Sequence, residues 1–213
     1  MVLFDKFINR EQKGETSPAE GSDAYQSGAD NKHYRRGVEL AAHGLYEEAL
    51  EELKRAIAKE PANVDAYYDL GMVYDQLGRF DDSVKAYNQA IRIKPDFMDA
   101  YNNLGIIHAN LGQHVEAIKA YMSAIRIKPD YVEALNNLGV LYYNRGVYTE
   151  AVRACQRAIR IKPDYAKAHY TLGLVYIDLK DKELAMREHE ILKSLEPLMA
   201  EELLHNIHQL SRS

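Results

Sequence analysis

Two asparagine pairs, Asn102–Asn103 and Asn136–Asn137, stand 34 residues apart and are the side chains best suited to holding another chain. A carboxamide both donates and accepts, so a row of them can pair with the backbone of an extended peptide whatever its sequence. The same residues could equally be solvated polar groups on an exposed helix face. Catalytic chemistry has thinner material. No Ser-His-Asp, metal-ligand or phosphate-loop arrangement is evident, and the eight histidines show no shared spacing. His205 and His208 stand three apart and could touch one metal, but two imidazoles without a further acid or thiol read better as solvated side chains. The segment Ile-Arg-Ile-Lys-Pro-Asp occurs at 91–96, 125–130 and 159–164, stacking Arg92, Arg126, Arg160 and Lys94, Lys128, Lys162. Cations there complement the negative ends of helix dipoles. An anionic-surface or nucleic-acid contact is the sharper alternative; a net charge of −5 and the lack of interleaved exposed aromatics count against nucleic acid. On these residues the chain is expected not to be an enzyme, and no cofactor and no metal is expected.

Placing the asparagines in step requires a repeating scaffold, and the punctuation residues supply one. Pro61, Pro95, Pro129, Pro163 and Pro197 are spaced by 34, as are Gly37, Gly71, Gly105, Gly139 and Gly173. Gly44, Gly78, Gly112 and Gly146 follow the first four of those glycines by seven. Of 12 Gly and 6 Pro in 213 residues, Gly14, Gly21, Gly28 and Pro18 fall off this lattice. A fixed period of this length signals stacked supersecondary units. Within a unit, Val64 to Gly78 has helical apolar spacing and ends on glycine; Arg79-Phe80-Asp81-Asp82 opens a second helix with carboxylates in its first turn, and Ile93-Lys94-Pro95 ends it. The glycines of the first helices should lie opposite Ala49, Ser83, Ala117, Ala151 and Ala185 and leave room for Leu53, Tyr87, Tyr121, Cys155 or His189. Cys155 therefore reads as inert core. Lys180 stands where the other units place the turn glycine, and Arg36 where they place leucine.

The pattern of aromatic, Leu-Gly, Tyr, Gly, Ala, Tyr, Ala and Pro at these offsets resembles the tetratricopeptide repeat (TPR) family. The Asn-Asn-Leu-Gly form at 102–105 and 136–139 is most similar to repeats of O-linked N-acetylglucosamine transferases and of bacterial interaction proteins. The resemblance implies an all-α fold: a right-handed α-α superhelical solenoid of TPR helix hairpins with a C-terminal capping helix. The expected units are 30–63, 64–97, 98–131, 132–165 and 166–199, with 200–213 as the cap. Leu203, Leu204, Ile207 and Leu210 would form the cap's apolar face.

Family geometry also implies which side chains line a concave groove: Asp65, Tyr68, Asp69 and Met72; Asp99, Asn102, Asn103 and Ile106; Glu133, Asn136, Asn137 and Tyr143; Lys167 and Tyr170. In the resembled transferases, asparagines at the positions of Asn103 and Asn137 hold a peptide backbone. Acids outnumber cations along this face, so the implied partner is a protein or extended peptide of basic or neutral rather than acidic character. Chaperone-binding members clamp a C-terminal carboxylate with a cationic set; here Asn102, Ile106, Asn137, Lys167 and Thr171 stand at those places, and only Asn137 and Lys167 agree. A chaperone-tail clamp is not expected.

The implied function is a non-catalytic adaptor or scaffold in the assembly of a larger complex. Alternatives are a self-assembling, homo-oligomeric coat on an organelle or membrane surface, as magnetosome-associated members of the family form, or a peptide-recognition subunit of a transferase or secretion machine. Residues 1–29 read as an amphipathic segment and flexible tether. Leu3, Phe4, Phe7 and Ile8 share a face of about 140° in 1–10, a segment with three readings: docking on the chain's own first repeat or groove, docking on a partner or peripherally on a membrane, or disorder. His33 and Arg36 leave the first repeat without an obvious cap, which favours the first of these. The expected location is cytoplasmic, with contact at a membrane or organelle surface left open.

Overall fold

The computed structural model describes residues 31–210. The expected amphipathic segment at 1–10, its tether to residue 29, and residues 211–213 lie outside the described residues. Eleven helices follow one another among the described residues: α1 (Lys32–Ala42), α2 (Tyr46–Lys59), α3 (Val64–Gln76), α4 (Phe80–Ile93), α5 (Met98–Asn110), α6 (His114–Ile127), α7 (Val132–Asn144), α8 (Tyr148–Ile161), α9 (Ala166–Asp178), α10 (Lys182–Leu195) and α11 (Pro197–Leu210). They pair as antiparallel hairpins α1–α2 to α9–α10, each pair in extensive contact. The chain divides into two compact units, one ending at Ile93 with two hairpins and one beginning at Lys94 with three hairpins and α11.

The local chemistry accounts for the boundaries. Asn31 caps α1 by accepting from the amides of His33 and Tyr34, and its own amide donates to the Ala56 carbonyl at 3.1 Å, tying the helix start to α2. Asn63 and Asp181 cap α3 and α10 in the same way. The first-turn acids Glu47, Glu48, Asp81, Asp82 and Glu116 sit at positive helix ends, and Arg92, Arg126 and Arg160 sit at negative ones.

The hairpin turns use a left-handed residue. Gly78, Gly112 and Gly146 each have φ +70°, and Lys180 holds φ 62° at the equivalent place. A side chain in that region costs about 1–2 kcal/mol. Lys180→Gly is therefore expected to raise the stability of the last hairpin by about 1 kcal/mol, allowing for glycine's greater freedom when unfolded. Urea unfolding checks this, and an unchanged midpoint would show that the turn stores no strain.

Close helix approach rests on the other glycine series. A Cβ at Gly71 would lie 2.7 Å from the Tyr87 ring, at Gly105 2.6 Å from the Tyr121 ring, and at Gly139 2.6 Å from Cys155 Sγ. Ser83 replaces the usual alanine and donates to the Gly71 carbonyl at 2.8 Å, a bond that the same closeness permits. In the last hairpin the expectation of His189 fails: the side chain over Gly173 is Leu203 of α11, 2.5 Å from a Cβ built there. The last glycine gap is thus filled by the cap, which also starts earlier than residue 200, at Pro197, a residue suited to a first helical position. Leu203 and Ile207 are fully buried and Leu204 partly, while Met199 and Ala200 complete the inner face.

The histidines have an order that the sequence reading missed. His33 and His169 occupy the same place in the first and last hairpins, and each meets the glutamate 19 residues on: His33 Nδ1 lies 2.6 Å from Glu52 and His169 Nδ1 2.6 Å from Glu188. His169 also contacts the Pro163 carbonyl at 2.9 Å. Burial opposes charge on His169, but Glu188 and that carbonyl outweigh it and raise its pKa. Arg36 pairs with Glu39. Both residues that made the first repeat look uncovered are thus partnered within its own hairpin.

Candidate functional site

In the unit beginning at Lys94, the first helices of its hairpins lie side by side, with α7 in contact with both α5 and α9. Their facing positions carry a polar ladder. Asn137 Nδ2 donates to Asn102 Oδ1 at 3.0 Å, and Asn102 Nδ2 in turn reaches Asn103 Oδ1 at 3.4 Å. One step on, the Thr171 hydroxyl lies 3.3 Å from Asn136 Oδ1 and 2.9 Å from the Lys167 carbonyl. The unit ending at Ile93 repeats the arrangement with other chemistry: the Tyr34 hydroxyl donates to Asp69 at 2.8 Å. The rule is a side chain on one first helix bonded to the side chain 35 residues later on the next.

This ladder divides the expected groove residues. Asn102 is 6% exposed, Asn136 3% and Tyr170 5%, so these three are interior bonding partners rather than open lining. Asn103 and Asn137 are half-buried, and one amide hydrogen of Asn137 is already committed to Asn102. Ile106, Met72 and Lys167 are half-buried, and Glu133 is exposed. Asp99 accepts from the Tyr131 hydroxyl at 2.7 Å. Tyr68 stacks at a tilt on Tyr87, with centroids 5.7 Å apart. The Tyr143 and Tyr148 ring centroids lie 6.3 Å apart, and Tyr170 is buried on α9, the helix against which α11 packs.

The electrostatics follow from this packing. Burial pushes the Asp69 carboxyl up to about 7; the Tyr34 hydroxyl opposes the shift and nearby Asp65 adds to it. Tyr143 is pushed up to about 12, by burial and by the Asp178 carboxylate. Cys155 is wholly buried and its thiol is pushed up to about 12 by desolvation, with Glu188 adding to the effect, so it is protonated at neutral pH and a poor nucleophile. Among the described residues no three His, Cys, Asp or Glu side chains converge as a metal site, and His205 instead contacts Gln209 at 2.7 Å.

Just past the ends of α4, α6 and α8, each lysine of the repeated Ile-Arg-Ile-Lys-Pro-Asp segment lies over an aromatic ring three residues on. Lys94 sits 5.2 Å from the Phe97 centroid, Lys128 5.7 Å from Tyr131 and Lys162 5.6 Å from Tyr165. These rings were not recognised as part of the cationic pattern in the sequence. The signal was available: an aromatic recurs two places after each of these three prolines.

A family model described as tetratricopeptide repeat matches residues 34–96 and 68–132, and a second, described as TPR repeat, matches 141–179. The chain belongs to the tetratricopeptide repeat family. Its helix hairpins have the fold of solved members. MamA (41-end) from Desulfovibrio magneticus RS-1 has 22% identity and a TM-score of 0.70, over 83% of this chain and 97% of that one. YrrB, described as a TPR protein with an unusual peptide-binding site, has 21% identity and a TM-score of 0.63, over 84% and 96%. The thermophilic TPR protein TTC0263 of Thermus thermophilus has 20% identity and a TM-score of 0.65, over 85% and 98%. A search of curated proteins finds no match. The packing glycine recurs on the first helix of all five hairpins while the side chains around it vary. Among the described residues no helix is long and apolar enough to cross a membrane.

Proposed function

We propose that this TPR protein is a non-catalytic interaction module that holds an extended segment of a partner protein across the first-helix face of α5, α7 and α9. The observation that carries the reading is Asn137. It is half-buried on the middle helix of the three and spends one amide hydrogen on Asn102. Its second N–H and its oxygen can serve one peptide unit of an incoming backbone. The ladder beneath holds that amide in a fixed orientation, which lowers the entropy lost on binding. Asn103 stands at the equivalent place on α5, and Asp99 and Glu133 add negative charge near the helix starts, favouring a basic or neutral segment over an acidic one. YrrB, a protein of the same fold, has a peptide-binding site. The five repeats beginning at 30, 64, 98, 132 and 166, with the cap behind them, belong to this reading.

The test is affinity purification on the intact protein and on the double variant Asn103→Ala, Asn137→Ala, with circular dichroism on both. In the double variant Asn102 loses both the Asn137 donor and the Asn103 acceptor, a cost of about 1 kcal/mol for each that should leave the helices formed. Specific clients are expected to be lost from the folded double variant, corresponding to an affinity drop of about tenfold or more. Clients retained at wild-type level would move the interface away from this face.

A further inference from the structure

We infer that His169 is a pH-sensitive latch: while its ring carries a proton on both nitrogens it holds the last hairpin and the cap closed, and loss of that proton releases them. The latch goes beyond the peptide-binding reading and does not rest on it.

The geometry asks for the second proton. His169 is 4% exposed, and each of its ring nitrogens faces an oxygen. Nδ1 lies 2.6 Å from Glu188 Oε2 on α10, and Nε2 lies 2.9 Å from the Pro163 carbonyl in the loop before α9. A neutral imidazole has one N–H and one lone pair. In either neutral tautomer one of the two oxygens therefore confronts a lone pair, at a place too closed for water to relieve it. With both nitrogens protonated the ring donates twice and meets the carboxylate as an ion pair, the two side chains being 5% and 13% exposed. The same count holds if the shared proton sits on Glu188, because the pair still contains it.

Burial by itself disfavours the charged ring, yet the hydrogen bonds to Glu188 and to the Pro163 carbonyl hold its pKa above the ordinary 6.5. Among the described residues of the helices packed on α9, Glu188 is the charged group that acts on the ring; α8 brings Cys155 close to Glu188, with its thiol pushed up to about 12, and no charge of α7 or α11 acts on the ring.

The other hairpins mark what is special about the last one. At the positions of His169 and Glu188 the three middle hairpins carry Tyr67 with Ala86, Tyr101 with Ala120 and Leu135 with Ala154, pairs with nothing to titrate near neutrality. His33 and Glu52 repeat the ion pair in the first hairpin, but that ring is 21% exposed, so water can serve it when it is neutral.

The latch sits where opening has consequences. α10 packs on both α9 and α11, so parting Glu188 from His169 loosens the seat of the cap. Thr171, two residues further along α9, ends the polar ladder at Asn136. A terminal repeat can open while the rest of the array stays folded, and opening here uncovers Leu192, Leu203 and Ile207, all fully buried in the closed form. The closed hairpin binds the proton more tightly than the open one. Closure is therefore strongest below the ordinary 6.5 and weakens as pH rises through the raised value, by up to about tenfold per pH unit.

The test combines amide hydrogen exchange of the full chain from about pH 6 to 8.5, expressed as protection factors, with 15N spectra of the histidine rings. The His169 ring is identified by its disappearance in His169→Gln. At about pH 6.5, where an ordinary histidine is half neutral, both of its nitrogens are expected to carry hydrogen. Protection in α9, α10 and α11 should fall with rising pH relative to α5 and α6. In Glu188→Gln the neutral ring can accept from the glutamine amide and donate to Pro163, so protection there should stay level; His169→Gln has no proton to lose and should behave alike. His189, His205 and His208 remain in both variants, so a fall caused by them would persist. A neutral His169 ring at that pH, level protection in the wild type, or an undiminished fall in both variants overturns the latch.

Discussion

Leu203→Ala is expected to destabilise the C-terminal end of the protein by about 2–5 kcal/mol, the range for a buried leucine truncated where the surroundings cannot collapse. Leu203 is fully buried and occupies the gap over Gly173 that Leu53, Tyr87, Tyr121 and Cys155 fill from within their own hairpins. The three atoms nearest a Cβ built on Gly173 all belong to Leu203, so truncation removes the contacts that fill the gap. Repeat arrays lose order from their ends, because a terminal repeat has a neighbour on one side alone. The loss should therefore appear as faster hydrogen exchange in α9, α10 and α11, with α5 and α6 little changed. Equal exchange in mutant and wild type would show that α11 does not hold the last hairpin.

Asp69→Asn should stabilise the protein at high pH and have little effect at low pH. The folded carboxyl has a pKa raised from 3.8 to about 7, so between those values the folded state binds more protons than the unfolded one. Stability from this group is thus fully present below about pH 4 and is lost as pH rises through 7. A shift of that size corresponds to about 4 kcal/mol in full, and with Asp69 half-buried rather than sealed an expected gain of about 2–4 kcal/mol at pH 8 is reasonable. Asparagine keeps an oxygen to accept from Tyr34, so the bond to α1 survives. The raised pKa of His169 acts in the same direction, its contribution also fading as pH rises. Urea unfolding of both proteins from pH 4 to 8 is the check; stability curves that stay parallel would mean that Asp69 is ionised freely in the folded state.

The polar ladder explains why Asp69 is so placed. Its counterpart positions on α5, α7 and α9 are Asn103, Asn137 and Thr171, neutral groups at a site half or wholly withdrawn from water, while on α1 the counterpart Arg35 is charged but exposed. A carboxylate there meets the desolvation that a carboxamide avoids.

The helices were legible in the sequence to within a residue or two. The break after Gln76, the start at Phe80 and the stop at Ile93 follow from Gly78, the Asp81–Asp82 pair and Pro95, all of which act on their own backbone. The approach of Gly71 to Tyr87 and of Gly105 to Tyr121 was legible too, because both partners lie within one hairpin at a constant separation. The pairing of His33 with Glu52 and His169 with Glu188 was present in the numbering and overlooked, since the intervening repeats carry other residues at the histidine position.

What the sequence determined by itself is therefore the repeating unit: helix lengths, turn points, and small-to-large contacts within each hairpin. These depend on intrinsic backbone preferences and on neighbours a fixed number of residues away. What the tertiary structure decided is which members of one chemically uniform row are spent and which remain available. Asn102 and Asn136 are buried as bonding partners, while Asn103 and Asn137 stay half-buried. It also decided that Leu203 rather than His189 closes the last gap. Adjacent asparagines have the same composition and the same helix propensity; they differ in which way each faces when the next helix, 35 residues later, packs against them.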